Sequence, residues 1–194
     1  MNLFASEREG VVKPTQIAWD EKGRLLVACS PTYPQTQASA QRADYILVLE
    51  DSKGAGRADK SWRFAEGLTM VQGLEVGDGG LYVCDFDRLL HLRDTNGDGK
   101  ADTRRVVFSG FGLNKERLNV QALLNSFNWG LDNRIHGASG PNGGMVTNLV
   151  IASAKPANCN GQDFAFDPRT MEFTTEAGGG QYGFSYDSRG RKYV

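Results

Sequence analysis

The feature that most constrains this chain is a repeat: four times, an apolar strand runs through a tight Asp/Gly/Asn turn into a second strand. The segments are QIAWDEKGRLLVAC, GLEVGDGGLYVC, SFNWGLDNRIHGA and GFSYDSRGRKYV. With Trp19, Val76, Trp129 and Tyr186 taken as equivalent, the spacings are 57, 53 and 57 residues. A period of this size fixes architecture before any single motif does, because each unit buries its apolar faces only against its neighbours.

Each unit then offers two more strand-like runs rich in aromatic and β-branched residues and bounded by turn formers. These are YILVLED and SWRFAEG in the first, RLLHLRD and TRRVVFSG in the second, QDFAFDP and MEFTTEA in the third. Four strands per unit describe a propeller blade, and no segment has the 3.6-residue period of a long helix. The chain is therefore expected to be all-β, with blades over roughly 11–67, 68–110 and 120–178 and an incomplete one over 179–194. Propellers close with about 4 to 8 blades. Three and a half blades leave an apolar face uncovered, so the chain reads as a β-propeller fragment of a longer protein.

Composition removes several function classes. Lys plus Arg at 22 against Asp plus Glu at 23 leaves a net charge of -1 with no basic block, which argues against nucleic acid as a partner. No apolar run approaches the roughly 18 residues of a membrane span. Cys29, Cys84 and Cys159 show no metal or haem spacing. Cys29 and Cys84 share a position in successive blades, which suits small buried residues or, alternatively, a disulfide. MNLFASEREG lacks the pattern of a secretory leader, so the protein is cytoplasmic or the leader lies outside this sequence.

Antiparallel strands send successive loops to opposite ends of a blade, and the loops divide by length. DEKG, GDGG, GLDN and DSRG are tight turns at one end. Ser30 to Asp44, Ser109 to Ala122 and Ala138 to Gly161 are long and polar and fall at the other, where a rigid scaffold usually carries its binding or catalytic groups. Asn125, Asn142 and Gln181 belong to that long-loop end and suit hydrogen bonding to a hydroxylated ligand, although turn chemistry accounts for such residues equally well. His136, in a strand leading into that end, is one of two histidines and a candidate general base; a packed strand histidine is the plainer alternative. His91 alternates with leucines and is the weaker candidate.

DTNGDGKAD places oxygens at Asp94, Asn96, Asp98 and Asp102 and a backbone carbonyl at Lys100, the first three-quarters of a helix-loop-helix calcium loop. The bidentate Glu expected three residues after Asp102 is Arg105, and an Asp/Gly-rich hairpin turn without an ion also fits. The matching loop of the first blade, DSKGAGRAD, keeps its end aspartates but has Lys53 and Ala55 in place of the middle oxygens.

FASEREGVVKPTQIAWDEKGRLLVAC, LRDTNGDGKADTRRVVFSGFG, NSFNWGLDNRIHGASGPNGG and GGGQYGFSYDSRGRKYV resemble successive blades of a membrane-bound dehydrogenase family. That family is related to the soluble quinoprotein glucose, aldose sugar and sorbosone dehydrogenases. The resemblance spans nearly the whole chain. It implies a six-bladed propeller, a periplasmic or secreted location and, in many members, a cytochrome c module. It further implies pyrroloquinoline quinone on the long-loop face, a histidine base and a nearby calcium ion. By position the base would fall near Gln121 or Ala122, and the cofactor-contacting arginine and asparagine near Gly179 and Gly180; none of these residues can take over those roles.

Three functions are consistent with this sequence. The first is a quinone-dependent dehydrogenase acting on a sugar or other alcohol and passing electrons to a haem module. The second is a non-catalytic propeller that binds carbohydrate or a protein through its long-loop face. The third, a metal-dependent propeller hydrolase such as a lactonase, needs several acids at the axis, where this sequence places few.

Overall fold

The computed structural model describes residues 2–34, 42–112 and 118–194. It is a β-propeller. The first blade has the strands β1 (Pro14–Trp19), β2 (Leu25–Cys29), β3 (Asp44–Glu50) and β4 (Lys60–Leu68), antiparallel in chain order. The second is built from β5 (Leu74–Gly77), β6 (Gly80–Asp85), β7 (Arg88–Arg93) and β8 (Thr103–Phe111). The third holds β9 (Asn125–Trp129), β10 (Ile135–Ala138), β13 (Gln162–Phe166) and β14 (Phe173–Ala177). A final hairpin, β15 (Ser185–Tyr186) with β16 (Lys192–Tyr193), starts the fourth.

One expected loop is partly sheet. Between β10 and β13 the chain forms β11 (Gly144–Asn148) and β12 (Ala157–Asn158), and β11 pairs antiparallel with β8, so the second blade becomes six strands in the order β12-β11-β8-β7-β6-β5. The physical reason is the outer edge of β8, whose free N–H and C=O groups accept another strand. Thus much of Ala138 to Gly161 clamps blade three onto blade two.

The blades are held by apolar layers. Leu26, Val48, Ala65, Leu74, Leu81 and Val83 fill the space between blades one and two. Between blades two and three the filling is aromatic: Phe166 packs edge-on against Tyr82 at 5.0 Å and against Phe108 at 5.3 Å, and Phe164 stacks on Phe173 at 5.2 Å. Each fully buried member, such as Phe108, Phe164 or Phe166, contributes roughly 1.5–3 kcal/mol through the area it removes from water. The other face of blade one is covered by the N-terminal segment, with Phe4, Val11 and Val12 over Val27, Tyr45 and Leu47.

Near the axis the innermost strands have inner edges with no ladder partner, and one side chain joins three of them. Gln16 on β1 donates from Nε2 to Leu74 O at 3.0 Å and to Phe127 O at 2.7 Å, while its Oε1 accepts from Leu74 N at 3.4 Å and Phe127 N at 3.3 Å. Residues 58 and 111 positions apart are bound through one amide. The three cysteines are free and buried, so no disulfide links Cys29 to Cys84. Cys84 instead accepts from Gln72 N at 2.7 Å and Gly73 N at 3.1 Å, and burial pushes its thiol up to about 12.

Candidate functional site at the long-loop mouth

Strand direction places the connections β2–β3, β4–β5, β8–β9 and β14–β15 at one end of the propeller. Parts of two of them, residues 35–41 and 113–117, lie outside the described residues. Three buried aspartates fasten this end. Asp44, at the start of β3, accepts from Ser30 Oγ (2.6 Å), Thr32 Oγ1 (2.7 Å) and Val71 N (3.1 Å), the last belonging to the segment that enters blade two. Asp163, near the start of β13, accepts from Gly179 N at 3.1 Å in the segment entering blade four, and pairs with Lys192. In blade two the acid is at the end of β6 instead: Asp85 accepts from Thr69 N (2.8 Å) and Arg88 Nη2 (2.6 Å). The entry segments, which border the axis, are thereby fixed before any ligand arrives.

The described part of the mouth is polar, and Lys13, just before β1, donates to Pro31 O at 3.1 Å and Tyr33 O at 2.8 Å. Tyr182 donates its hydroxyl to Thr15 O at 2.9 Å, closing the entry of blade four against β1, and burial holds its phenol above the usual range. Thr15 in turn donates to Val71 O at 2.5 Å. Gln72 is fully buried; its Nε2 donates to Val120 O at 2.8 Å while its Oε1 has no protein partner. Gln181, next to Tyr182, is exposed.

The candidates read from the sequence separate here. Gln181 stands at the mouth. Asn125 is buried behind it: its Nδ2 donates to Leu123 O (2.7 Å) and Gln181 O (3.2 Å), and its Oδ1 accepts from Gly183 N (3.3 Å) and Ser126 Oγ. Asn142 is also buried, with Nδ2 donating to Asn119 O and Ala122 O at 2.7 Å each and Oδ1 accepting from Asn119 N at 3.0 Å. Both amides are used up in shaping loops. His136 lies on the face of blade three that turns toward blade four, 93% buried, with Nδ1 2.8 Å from Glu176 Oε2 and Nε2 3.0 Å from Asp132 Oδ1. Its position in the blade is that of Leu26 and Tyr82, which pack blade one on two and blade two on three. His91 stacks on Tyr82 at 4.3 Å with Nε2 3.2 Å from Gly77 O.

The Asp94 loop sits at the opposite, short-loop end. Asp94 accepts from Gly97 N (2.7 Å) and Gly99 N (2.9 Å), Asn96 from Asp98 N (2.9 Å), Asp98 from Lys100 N (2.8 Å), and Asp102 from Thr95 Oγ1 (2.8 Å). The matching loop of blade one is closed in the same way, Asp51 accepting from Ala55 N (2.9 Å) and Gly56 N (2.7 Å) and Asp59 from Ser52 N (2.7 Å). A loop with Lys53 and Ala55 in the middle closes as the acidic one does, so the turn geometry needs no cation.

Sequence reasoning missed Gln72, Tyr182, Asp44 and Asp163. The aspartates had a signal, since Asp44-Tyr45-Ile46 and Asp163-Phe164-Ala165 open the third strands of blades one and three. Gln72 had none.

The propeller fold is similar to that of solved quinoprotein and carbohydrate-active enzyme domains. The pyranose dehydrogenase PQQ domain of Coprinopsis cinerea, in its holo form, superposes with a TM-score of 0.58 at 15% identity, over 94% of this chain and 43% of that one. A Trichoderma reesei carbohydrate-active enzyme of family AA12 superposes with a TM-score of 0.52 at 16% identity in an iodide structure, over 87% of this chain and 38% of that one. Its calcium structure gives 0.50 at 14% identity, over 80% and 40%. The chain thus spans about two-fifths of the length of the solved chains it matches. By sequence it belongs to the family described as a domain of unknown function, DUF7133, whose model matches residues 1–194. No curated protein matches it.

Proposed function

We propose that this chain is a propeller segment of a quinone-dependent sugar or alcohol dehydrogenase-like protein, in which it supplies scaffold and rim rather than reacting groups. The observation that carries the reading is the superposition of 94% of the chain on a PQQ domain, joined to exposed Gln181 and Tyr182 at the long-loop end. In this reading the complete protein is a six-bladed, exported propeller with pyrroloquinoline quinone and calcium as cofactors, and its electrons pass to a cytochrome c module.

The described residues do not by themselves fit a reacting quinone site. A quinone carrying carboxylates calls for cations and a base, and here both histidines are packed between blades, Arg88 is held by Asp85, and Lys13 is engaged by the carbonyls of Pro31 and Tyr33. No catalytic step is therefore routed through this chain. Its contribution is hydrogen bonding at the mouth: Gln181 can donate to or accept from a ligand, while Tyr182, whose proton goes to Thr15 O, can accept from a ligand hydroxyl.

The packed histidines favour a second reading, a non-catalytic propeller that binds carbohydrate or a protein partner by the same rim. One experiment separates the two. The full-length protein, with quinone and calcium added, is tested by calorimetry for quinone binding and by dye reduction over a panel of sugars and alcohols. Quinone-dependent turnover supports the dehydrogenase. A folded protein that takes up no quinone leaves the binding propeller.

A further inference from the structure

The turn before β10 departs from those of blades one and four, and the departure assembles a cluster of metal-ligating groups. In blades one and four this turn begins with an aspartate that holds the arginine four residues on: Asp20 receives Arg24 Nε at 2.6 Å and Asp187 receives Arg191 Nε at 2.7 Å. Blade three has Gly130 there, where a β-carbon would collide with His136 Nε2 and Asp132 Oδ1. The acid has moved two positions to Asp132, facing His136. Arg134, released from the clasp, donates instead to Ala165 O at 3.0 Å and Thr174 Oγ1 at 2.7 Å. Blade two also has a glycine at this position, Gly77, but there a β-carbon would meet the Trp129 and Tyr82 rings; in blade three the missing β-carbon clears space beside an imidazole and a carboxylate.

We propose that Asp132 and His136, with Glu176 holding the far side of the imidazole, form a binding site for a zinc-class divalent cation. One ligand atom from each lies within 4.8 Å of the other two, and among the described residues no other trio of His, Cys, Asp or Glu meets that condition. Imidazole nitrogen and carboxylate oxygen are the donors zinc takes, at about 2.0–2.2 Å. Asp132 has 46% of its side chain exposed, so the ion enters from the turn side. There it binds His136 Nε2 and Asp132, the proton shared between those two atoms leaves to solvent, and water completes the shell. Glu176 accepts the hydrogen bond from His136 Nδ1 at 2.8 Å, which fixes the tautomer and the ring plane as carboxylates behind metal-bound histidines do. Tyr186 packs edge-on against the imidazole at 5.5 Å and walls the site on the blade-four side. The ion would staple the β9–β10 turn to the interface of blades three and four, away from the long-loop mouth and independent of any quinone.

The test is titration of the full chain with zinc chloride by calorimetry, with cobalt(II) as a second probe read by its visible absorption. The site predicts saturable one-to-one binding. Second-shell losses run to about 10–100-fold in affinity, so Glu176→Gln should weaken binding by about 10-fold and Asp132→Asn and His136→Gln by more. Asp98→Asn, in the separate acidic loop, should leave it unchanged. Asp132→Asn alters an exposed turn residue and keeps the test valid if His136→Gln fails to fold. Absence of saturable binding up to about 1 mM zinc, with the chain folded by circular dichroism, would overturn the proposal. So would equal binding by Asp132→Asn and the parent, or loss of binding in Asp98→Asn.

Discussion

Replacing Gln16 by methionine keeps its volume and removes its four hydrogen bonds. Two are short, to Phe127 O at 2.7 Å and Leu74 O at 3.0 Å, and two are long, from Phe127 N at 3.3 Å and Leu74 N at 3.4 Å. A net hydrogen bond contributes about 0.5–1.5 kcal/mol, and a buried partner left unsatisfied costs about 1–3 kcal/mol. Leu74 and Phe127 are both fully buried, so their carbonyls cannot turn to bulk water. Counting the short pair in full and the long pair as weak gives a loss of about 2–3 kcal/mol. For a chain of this size each kcal/mol moves the melting temperature by about 2–4 °C, which sets the expected drop at about 4–12 °C. Thermal and urea unfolding of the Gln16→Met protein measure it directly. Glu at this position tests the donor: it keeps the acceptors but faces two carbonyls with a carboxylate, and should be no more stable than Met. A Gln16→Met protein within about 0.5 kcal/mol of the parent would refute the claim that this amide ties three blades together.

Three further outcomes are expected. Asp44→Ala strips the acceptor from Ser30, Thr32 and Val71 and should cost about 3–5 kcal/mol in urea unfolding; a loss under about 1 kcal/mol would show that the buried aspartates do not fasten the blade entries. Gly137→Ala puts a β-carbon 2.8 and 2.9 Å from the ε carbons of Phe164, whose ring is stacked on Phe173, so overpacking of about 1–3 kcal/mol follows; an unchanged melting temperature would mean that the aromatic layer can shift. Glu75, on the innermost strand of blade two, is pushed up to about 7 by burial. Between its ordinary value near 4.5 and about 7 the folded chain binds more protons than the unfolded one, so its contribution to stability falls as pH rises through that window. Glu75→Gln should then raise stability at pH 8 by about 1–3 kcal/mol and change little at pH 4; equal effects at both pH values would refute the assignment.

The repeat was legible because it is written in local chemistry. Strand periodicity, the turn residues of DEKG and DSRG, and the recurrent spacing near 55 residues each report on neighbours a few positions away. What was not legible depends on long-range partners. GGMVTN carries no strong strand signal, and β11 forms because β8 offers an edge. Gln16 looks like any polar residue in an alternating strand until Phe127, 111 positions on, is brought to the same axis. The long loops do fall at one end of the fold, yet the amides of Asn125 and Asn142 are spent on loop backbone, because composition cannot distinguish an amide that faces ligand from one that closes a turn.

His136 draws these lines together. In sequence it is a histidine ahead of a glycine-rich loop, which suggests a reacting group near the ligand. In the structure it occupies the packing position that Leu26 and Tyr82 hold in the other blades, and two acids converge on it. Leucine or tyrosine at such a position needs only apolar neighbours; a buried imidazole needs partners for both nitrogens. Their cost is visible in the surrounding chain: Gly130 replaces the clasping aspartate, and Arg134 finds new acceptors 31 and 40 positions away. Gly77 stands at the same place beside Tyr82, so the glycine alone does not answer to the histidine; the acid at Asp132 and the redirected Arg134 do, and they make the interface of blades three and four the place where this chain's own side chains gather metal-ligating groups.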